Sequence, residues 1–392
     1  MNWLNRERLT VYPRIIFVTY LVVLGFLYLT GSGLLDGRGD PIGGDFSLYW
    51  VASSLALKGE PVEVYQPSRI LAAEEKVFGV AIPLTWQQQP PTYLLLVLPL
   101  ALLPYLISLG LWLSSTLAGF ILVLRRIAPH PLVIGLALAF PGTFQNLIHG
   151  QNGFLSALLL GGGLLVLDQA PLAAGLLFGL LSYKPHFAVL VPLALLAGRR
   201  WRALLSMAIV SGGLLLASLL VLGPDVWAAY LHHLPATLQV LETGRLAGNM
   251  AITHDKVTSL LGAVLLAGGA PWLAQILQAA LMLATAGLVA WVWSRKASPA
   301  VRSAVLVLGV LLFTPYELIY DLAILALPLA WLGWEGFREG WLPGEPALLF
   351  LGFLTPILVP ILAKNLNLQI TPLVLPMLLA LALRRMRLET AG

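Results

Sequence analysis

Long apolar runs separated by short groups of basic residues dominate this sequence. The first run, residues 15–35, is long enough to cross a bilayer, which takes about 20 apolar residues in a helix. Basic residues precede this run, and Arg384 and Arg385 follow the last one. In lipid, each backbone polar group must be satisfied within its own helix or a closed barrel. Apolar runs of this length therefore predict an all-α polytopic membrane protein.

The composition excludes several other classes of protein. Only 10% of the residues are charged, against about 25% in a soluble domain. The chain has no cysteine, which rules out disulfides and thiolate metal sites. Its net charge of +5 comes from clusters between apolar runs, as positive-inside topology requires, so no nucleic-acid partner is expected. Since no metal-ligand spacing, P-loop or dinucleotide fingerprint is present, we expect no metal and no cofactor.

We interpret the chain as one membrane domain, residues 1–392, with about twelve spans and both termini in the cytoplasm. The basic start and the length of the first run favour a retained helix over a signal peptide. Residues 36–92 form a first outer loop and residues 223–256 a second outer excursion. This partition places Arg125 and Arg126 outside, against the positive-inside bias, and residues 149–152 inside. The predicted spans are 15–35, 93–124 (split near Pro104), 131–148, 154–167, 171–197, 203–222, 271–293, 303–315, 322–334, 346–363 and 370–383.

The first loop contains two predicted helices, residues 46–57 and 68–78. The second is amphipathic, and it either lies flat in the membrane interface or packs on the membrane domain. We predict Ile70, Leu71, Val77 and Phe78 on its apolar face, with Glu74, Glu75 and Lys76 turned away.

Asp45 is one of few carboxylates beside a membrane boundary. Gly43 and Gly44 precede it and allow a tight turn, and Tyr49 and Trp50 follow it, as is usual at an interface. One interpretation makes Asp45 a general base on the outer face of a membrane enzyme. The other makes it the N-cap of the helix that follows, a position that aspartate favours.

Four more polar groups interrupt the apolar chain, where ionisable residues are costly and so are candidates for function. Lys184 and His186 flank a helix-breaking proline and could bind phosphate, although Lys184 could also snorkel to an interface. Residues 149–153 form either a tight turn or part of a cavity wall. Residues 249–256, with His254, are a candidate for proton transfer or a solvated loop. Residues 316–321 suit the recognition of sugar hydroxyls or form a capped turn.

The order of motifs resembles glycosyltransferase family 87, a GT-C-type bacterial family that includes polyprenyl-phosphate-mannose-dependent mannosyltransferases. The motifs are Asp45-Phe46-x-x-Tyr49-Trp50, Pro90-Pro91-Thr92-Tyr93, Gly150-Gln151-Asn152, Lys184-Pro185-His186 and Pro315-Tyr316 with Tyr320-Asp321. The resemblance implies a GT-C helical bundle with amphipathic helices in the first outer loop. It also implies a sugar donor carried on a polyprenyl phosphate, with Asp45 deprotonating the acceptor hydroxyl.

The resemblance thus implies a hexosyltransferase of the bacterial plasma membrane. It would move mannose or a similar sugar to a lipid or glycan acceptor on the extracytoplasmic face. Cations must offset the charge that develops on the leaving phosphate, and Lys184, His186, Arg125 or Arg126 could do so. A single base favours inversion, but Asp321 or Glu317 could supply the second carboxylate of a retaining reaction. The predicted substrate-binding residues are Tyr49, Gln151, Asn152, Lys184, His186, His254, Tyr316, Tyr320 and Asp321.

Three other classes of protein compete with this interpretation. A lipid or solute transporter predicts broken helices in paired, symmetric positions, and the sequence shows breaks without symmetry. A ligase that uses a lipid-pyrophosphate donor predicts a large, arginine-rich outer loop late in the chain. A membrane acyltransferase predicts a histidine deep in a span, for which His186 is the candidate.

Overall fold

The computed structural model of the protein describes residues 6–82, 88–243, 245–246, 249–250 and 254–391. Residues 251–253 of the predicted 249–256 group, and the extreme termini, lie outside these ranges. The described chain is nearly all helical, with one antiparallel pair of two-residue strands, β1 (Arg245–Leu246) and β2 (Asn249–Met250).

The α-helices are α1 (Arg6–Leu29), α2 (Phe46–Leu57), α3 (Pro67–Phe78), α4 (Pro91–Val97), α5 (Tyr105–Ile127), α6 (Leu132–Ala139), α7 (Pro141–His149), α8 (Gly153–Val166), α9 (Pro171–Leu180), α10 (Pro185–Ala188), α11 (Leu190–Ala197), α12 (Trp201–Leu222), α13 (Pro224–Thr243), α14 (Leu260–Leu266), α15 (Pro271–Trp293), α16 (Pro299–Phe313), α17 (Ala326–Glu339), α18 (Glu345–Leu366) and α19 (Thr371–Ala391). Short 3-10 helices cover Glu63–Tyr65, Leu98–Leu102, Leu181–Tyr183, His254–Lys256 and Ile319–Leu325.

Five helices of the described chain are long and apolar enough to cross a membrane: Thr10–Leu29 within α1, then α5, α12, α15 and α18. The pair α6 and α7, bent by 54° at Pro141, makes a sixth if it is counted as one span. Shorter apolar helices fill the space between them and form much of the buried core. The prediction of a helical membrane bundle is therefore confirmed.

The first loop forms its two helices within a residue of the predicted bounds, but one face of α3 was predicted wrongly. Glu74 is fully buried and accepts a 2.6 Å hydrogen bond from the Ser47 hydroxyl of α2, while Val77 is exposed. Ile70 and Phe78 are buried beside Glu74. Helix α3 therefore packs on α2 through Ile70 and Phe78 together with the hydrogen-bonded pair of Glu74 and Ser47. The prediction was wrong for Glu74, which is buried, and for Val77, which is exposed.

The direction of α5 corrects the predicted topology. Its first residue, Tyr105, donates a 2.6 Å hydrogen bond to the Ile42 carbonyl, three residues before Asp45. Arg125 and Arg126 lie in the last turn of this 23-residue helix, about 30 Å away at 1.5 Å per residue. They lie at the opposite end of the bundle from Asp45, and their predicted position on the Asp45 side was wrong. The short segment 91–102 does not carry the chain across, because Tyr93 near its start contacts Tyr49 and Tyr105 just after its end bonds to the Ile42 carbonyl, both close to Asp45.

Residues 171–197 form a hairpin, whereas the sequence predicted one span. Asp168, just before α9, forms an ion pair with Arg200, just after α11, with 2.5 Å between Oδ1 and Nη2. Both ends of the segment therefore lie together, and the chain reverses near Pro185, which cannot continue the helical hydrogen bonds. The tip carries Tyr183 and Lys184 back to the start of α8, where the Tyr183 hydroxyl lies 2.7 Å from that of Ser156.

Candidate active site

Three turns meet at the Asp45 end of the bundle. The first is 43–45, before α2; the second is 149–152, between α7 and α8; the third is 314–321, after α16. A Cβ on Gly150 would lie 2.4 Å from the Gly43 carbonyl oxygen, so the first two turns touch through their backbones. Asn146 joins the second turn to the third, since its Nδ2 donates to the Tyr320 carbonyl at 2.6 Å and its Oδ1 accepts from Gly153 N at 2.8 Å.

Asp45 occupies the N-cap position of α2, yet its side chain makes no capping hydrogen bond. Its Oδ2 instead accepts a hydrogen bond of 2.6 Å from Nε2 of Gln151. The residue is half-buried, so its carboxylate is reachable from the surface of the bundle. Among the described residues Oδ1 has no hydrogen-bond donor. Asp45 therefore has one carboxylate oxygen fixed by an amide and one available to a ligand.

Behind Asp45 lies a buried polar network. Gln151 Oε1 accepts from the Tyr49 hydroxyl at 2.6 Å, which fixes the orientation of the amide. Asn152 Nδ2 lies 3.3 Å from the Tyr49 hydroxyl and 3.2 Å from that of Tyr93. The Tyr93 ring contacts Tyr49 edge-on and stacks on Tyr183, with centroids 5.1 Å apart in each case. The network holds Asp45 and Gln151 in place from the core side, because all of these tyrosines are buried.

Lys184 and Asp321 form a buried ion pair that joins the hairpin tip to the third turn. Nζ lies 2.6 Å from Oδ1, and the two side chains are 4% and 3% exposed. Asp321 Oδ2 also accepts from the backbone N of Leu318 at 3.2 Å. The ammonium lies 5.0 Å from the centre of the Phe187 ring. Lys184 does not snorkel to an interface, and a carboxylate already balances its charge.

Segment 257–259 connects the third turn to the polar residues 254–256 by hydrogen bonds. Thr258 N donates to the Glu317 carbonyl at 2.8 Å, and the Ser259 hydroxyl donates to the Pro315 carbonyl at 2.6 Å. His254 begins the 3-10 turn just before this segment, and its Nε2 is buried without a hydrogen-bond partner among the described residues. Tyr316 lies half-buried in the third turn.

Glu317 lies in the third turn, outside the membrane-spanning helices, and is fully buried. Neither of its carboxylate oxygens accepts a hydrogen bond from the described residues. Burial raises the pKa of this carboxyl well above its ordinary value, and the Asp321 charge adds to the rise. The nearby Thr258 hydroxyl partly lowers the pKa of the Glu317 carboxyl. Its hydrogen bond, 3.2 Å long, goes to the main-chain carbonyl of Glu317 and not to the carboxylate. Burial therefore favours the protonated form of Glu317.

The structure brings together some predicted site residues and separates others. Asp45, Tyr49, Gln151 and Asn152 form one connected group, and Lys184 with Asp321 a second. Tyr320 lies in the third turn, with its ring centroid 6.1 Å from that of His149. Burial raises the pKa of its phenol, and the charges of Asp45 and Asp321 raise it further. His186 packs against Phe187, with ring centroids 4.5 Å apart, and belongs to neither group.

The sequence interpretation missed Tyr93, Tyr183 and Ser156 as parts of the site. Tyr93 stands in the Pro90-Pro91-Thr92-Tyr93 motif, and Tyr183 directly precedes Lys184, so both were adjacent to a recognised pattern. Ser156 carries no such signal. It enters the site because the hairpin tip returns to α8, a long-range contact.

The fold and this cluster define a polytopic membrane protein with a half-buried carboxylate at one end of its bundle. Residues 88–315 match glycosyltransferase family 87, which is more than half of the chain. The chain therefore belongs to glycosyltransferase family 87 and is a membrane glycosyltransferase. The matched part contains Gln151, Asn152, Lys184, His186 and His254, whereas Asp45 and Tyr320 lie outside it. Searches of curated proteins and of solved structures found no match.

Proposed function

We propose that this protein transfers a hexose, mannose or a similar sugar, from a polyprenyl-phosphate donor to a hydroxyl of a lipid or glycan acceptor. Asp45 is the general base. The observation that carries the proposal is the hydrogen bond of 2.6 Å from Gln151 to Asp45 Oδ2, since it replaces the capping bond that a structural aspartate would make. A base must lie within hydrogen-bond reach of the proton that it takes, and Oδ1 is the oxygen available for that contact.

In the proposed reaction the acceptor oxygen attacks the anomeric carbon of the sugar. The acceptor proton passes to Asp45 Oδ1, while the bond between the anomeric carbon and the phosphate oxygen breaks. Its electron pair stays on the leaving polyprenyl phosphate, whose negative charge increases. Gln151 and Tyr49 hold the carboxylate in one orientation, and the enzyme gains rate because the reacting groups are held in place.

The environments of the other carboxylates favour inversion of configuration. A retaining reaction needs a second carboxylate about 5–5.5 Å from the first, free to attack the sugar. Asp321 is ion-paired with Lys184, and Glu317 is buried with a raised pKa, which favours its protonated form. Asp45 is then the one carboxylate of the three turns suited to react, which supports a single direct displacement.

We further propose about twelve traverses of a bacterial plasma membrane, in a GT-C-type bundle, with both termini in the cytoplasm. Counting α9 and α10–α11 as separate traverses, and 91–102 as none, puts Arg125, Arg126 and Arg200 at one end of the bundle. Asp45 and the three turns lie at the other end. This distribution agrees with the positive-inside bias, so the Asp45 end would face outward.

The test is sugar transfer by purified protein, with a panel of polyprenyl-phosphate sugars and an acceptor extract. Asp45→Asn should abolish transfer while leaving the melting temperature unchanged. Asp40→Asn is the matched control, because Asp40 lies in the same loop with a half-exposed side chain 3.7 Å from Arg38. Transfer by Asp45→Asn at the wild-type rate would remove Asp45 from the mechanism.

The second candidate is that this member of the family binds and moves a lipid-linked sugar without transferring it, a role that the helical hairpin broken at Pro185 and the bend between α6 and α7 would suit. It predicts that the purified protein binds a lipid-linked sugar but leaves it chemically intact. Product formation in detergent, where no gradient exists, would exclude a purely transporting role.

A further inference from the structure

His149 ends α7 and is packed against the turn that carries Asp45. A Cβ placed on Gly44 would lie 3.3 Å from the His149 Cα, so the backbones of the two turns are in direct contact. Gly150, which follows, has a φ of 59° and turns the chain toward Gln151. His149 is therefore adjacent to the Asp45–Gln151 pair, and it takes no part in the proposed proton transfer.

The ring of His149 has one nitrogen occupied. Nδ1 lies 2.8 Å from the Gln145 carbonyl oxygen, and because a carbonyl only accepts, Nδ1 carries a proton. Nε2 is then the nitrogen that remains for a ligand. The ring is half-buried, and its centroid lies 6.1 Å from that of Tyr320 in the third turn. His149 thus lies between the first and third turns.

The charges of the cluster show what such a ring could bind. Asp45 is anionic, and Lys184 is neutralised by Asp321 at 2.6 Å. A phosphodiester donor brings a further negative charge, which increases when the sugar leaves. An imidazole that donates through both ring nitrogens, Nδ1 to the Gln145 carbonyl and Nε2 to a phosphate oxygen, is a cation and matches that anion. Arg125 and Arg126, predicted to serve as cations, lie at the far end of α5.

We infer that His149 binds the phosphate of the lipid-linked donor through Nε2, on the Asp45 side of the site. The inference rests on the proposed function and deepens it, since it assigns a residue to the phosphate. No bond to His149 forms or breaks in the reaction. Its ring holds one phosphate oxygen while the electron pair of the broken bond moves onto that group.

The first experiment measures binding without turnover. A short-chain polyprenyl monophosphate, the proposed product, should raise the melting temperature of the wild type and of Asp45→Asn. It should stabilise His149→Ala much less at the same concentration. His149→Gln keeps an amide donor without the charge and should lie between the two. His232→Ala is the matched control, because His232 is exposed on α13.

The second experiment measures transfer. We expect His149→Ala to raise the donor KM at least about tenfold, the loss expected for a hydrogen bond to a charged partner. The acceptor KM should stay as in the wild type. If the wild type transfers sugar and His149→Ala keeps both the donor KM and the phosphate-induced stabilisation, the inference about His149 is wrong and the transferase stands. If the wild type neither transfers sugar nor responds to polyprenyl phosphate, the proposed function itself fails.

If His149→Ala does not fold, His149→Gln provides the comparison with the wild type. Equal donor KM and equal stabilisation by the monophosphate in His149→Gln and wild type would also overturn the inference, since an amide carries no positive charge.

Discussion

Gln151 Nε2 donates a hydrogen bond of 2.6 Å to Oδ2 of Asp45, across 106 positions of sequence. The same amide accepts from the Tyr49 hydroxyl through Oε1, so its two ends are distinguished and its orientation is fixed. A carboxylate held in this way presents its other oxygen in one direction. The proposed base thus depends on a side chain from a different part of the chain.

Replacing Gln151 should therefore lower transfer without unfolding the protein. In Gln151→Ala, Asp45 loses its donor, and we expect the turnover number to fall about 10- to 100-fold, the range for a hydrogen bond to a charged group. Gln151→Glu should lose more, because it offers no amide N–H and places a second negative charge beside Asp45. Initial rates with the lipid-linked sugar, measured beside melting temperatures, check this. An unchanged turnover number in a stable Gln151→Ala would show that Asp45 needs no such support.

Replacing either member of the buried Lys184–Asp321 ion pair should lower the free energy of unfolding. Lys184→Met or Asp321→Asn alone leaves a buried charge without its partner, and such losses are typically about 3–5 kcal/mol. The double variant removes both charges and should recover much of the lost stability. Thermal unfolding in detergent of the four proteins forms a double-mutant cycle. Additive losses in the double variant would mean that the two residues do not interact as the 2.6 Å distance requires.

Transfer by the Lys184→Met, Asp321→Asn double variant separates structure from chemistry. If stability returns while transfer stays absent, the pair also acts on substrate. If both return, the pair is structural.

Glu317 should make the protein less stable as the pH rises. Its folded pKa is raised by burial, so above the ordinary pKa of the unfolded chain the folded state holds the extra proton. Stability is then highest at low pH and falls as pH rises toward the folded pKa. Glu317→Gln cannot titrate, and its melting temperature should depend less on pH than that of the wild type above the ordinary glutamate pKa of about 4.3. If the melting temperatures of the two proteins change with pH in the same way, the raised pKa of Glu317 is contradicted.

Gly150 should tolerate no side chain. A Cβ there would lie 2.4 Å from the Gly43 carbonyl and 2.5 Å from the Phe46 Cβ, which forces the Asp45 turn away from Gln151. Because a displacement of about 1 Å can cost about 100-fold in rate, Gly150→Ala should lose most of its activity. Its melting temperature should fall as well.

Gly223→Ala is the control for Gly150→Ala. Gly223 has a φ of 89°, so alanine is also strained there, but no atom lies within 4 Å of the added Cβ. This variant measures the cost of the backbone conformation alone. Equal activity losses in the two variants would show that the contact between the turns does not matter.

Local signals in the sequence were enough to predict several features of the structure. The helix Phe46–Leu57 has the predicted bounds, and the breaks at Pro104 and Pro185 follow from the missing N–H of proline. The polar motifs that interrupt apolar runs became the three turns and the hairpin tip. The family resemblance agrees with the match over residues 88–315.

The sequence did not correctly predict at which end of the bundle each connecting segment lies. A topology predicted from sequence assigns sides by counting spans along the chain. One wrongly assigned span therefore reverses the predicted side of every segment after it. The part of 93–124 that precedes Pro104 was predicted as a separate span, which placed Arg125 and Arg126 on the Asp45 side and residues 149–152 away from it. The hairpin 171–197 was counted as a single span, and this second error restored the order from Arg199 onward.

The sequence by itself determined that the chain is a helical membrane protein, where its helices break and which residues are candidates for chemistry, because hydropathy and proline act locally. Only the tertiary structure decided that Gln151 reaches Asp45, that Lys184 is neutralised by Asp321, and that Glu74 and Glu317 are buried. These outcomes depend on contacts between distant segments, whose partners no local pattern specifies. The site exists because three turns far apart in the chain end at the same face of the bundle.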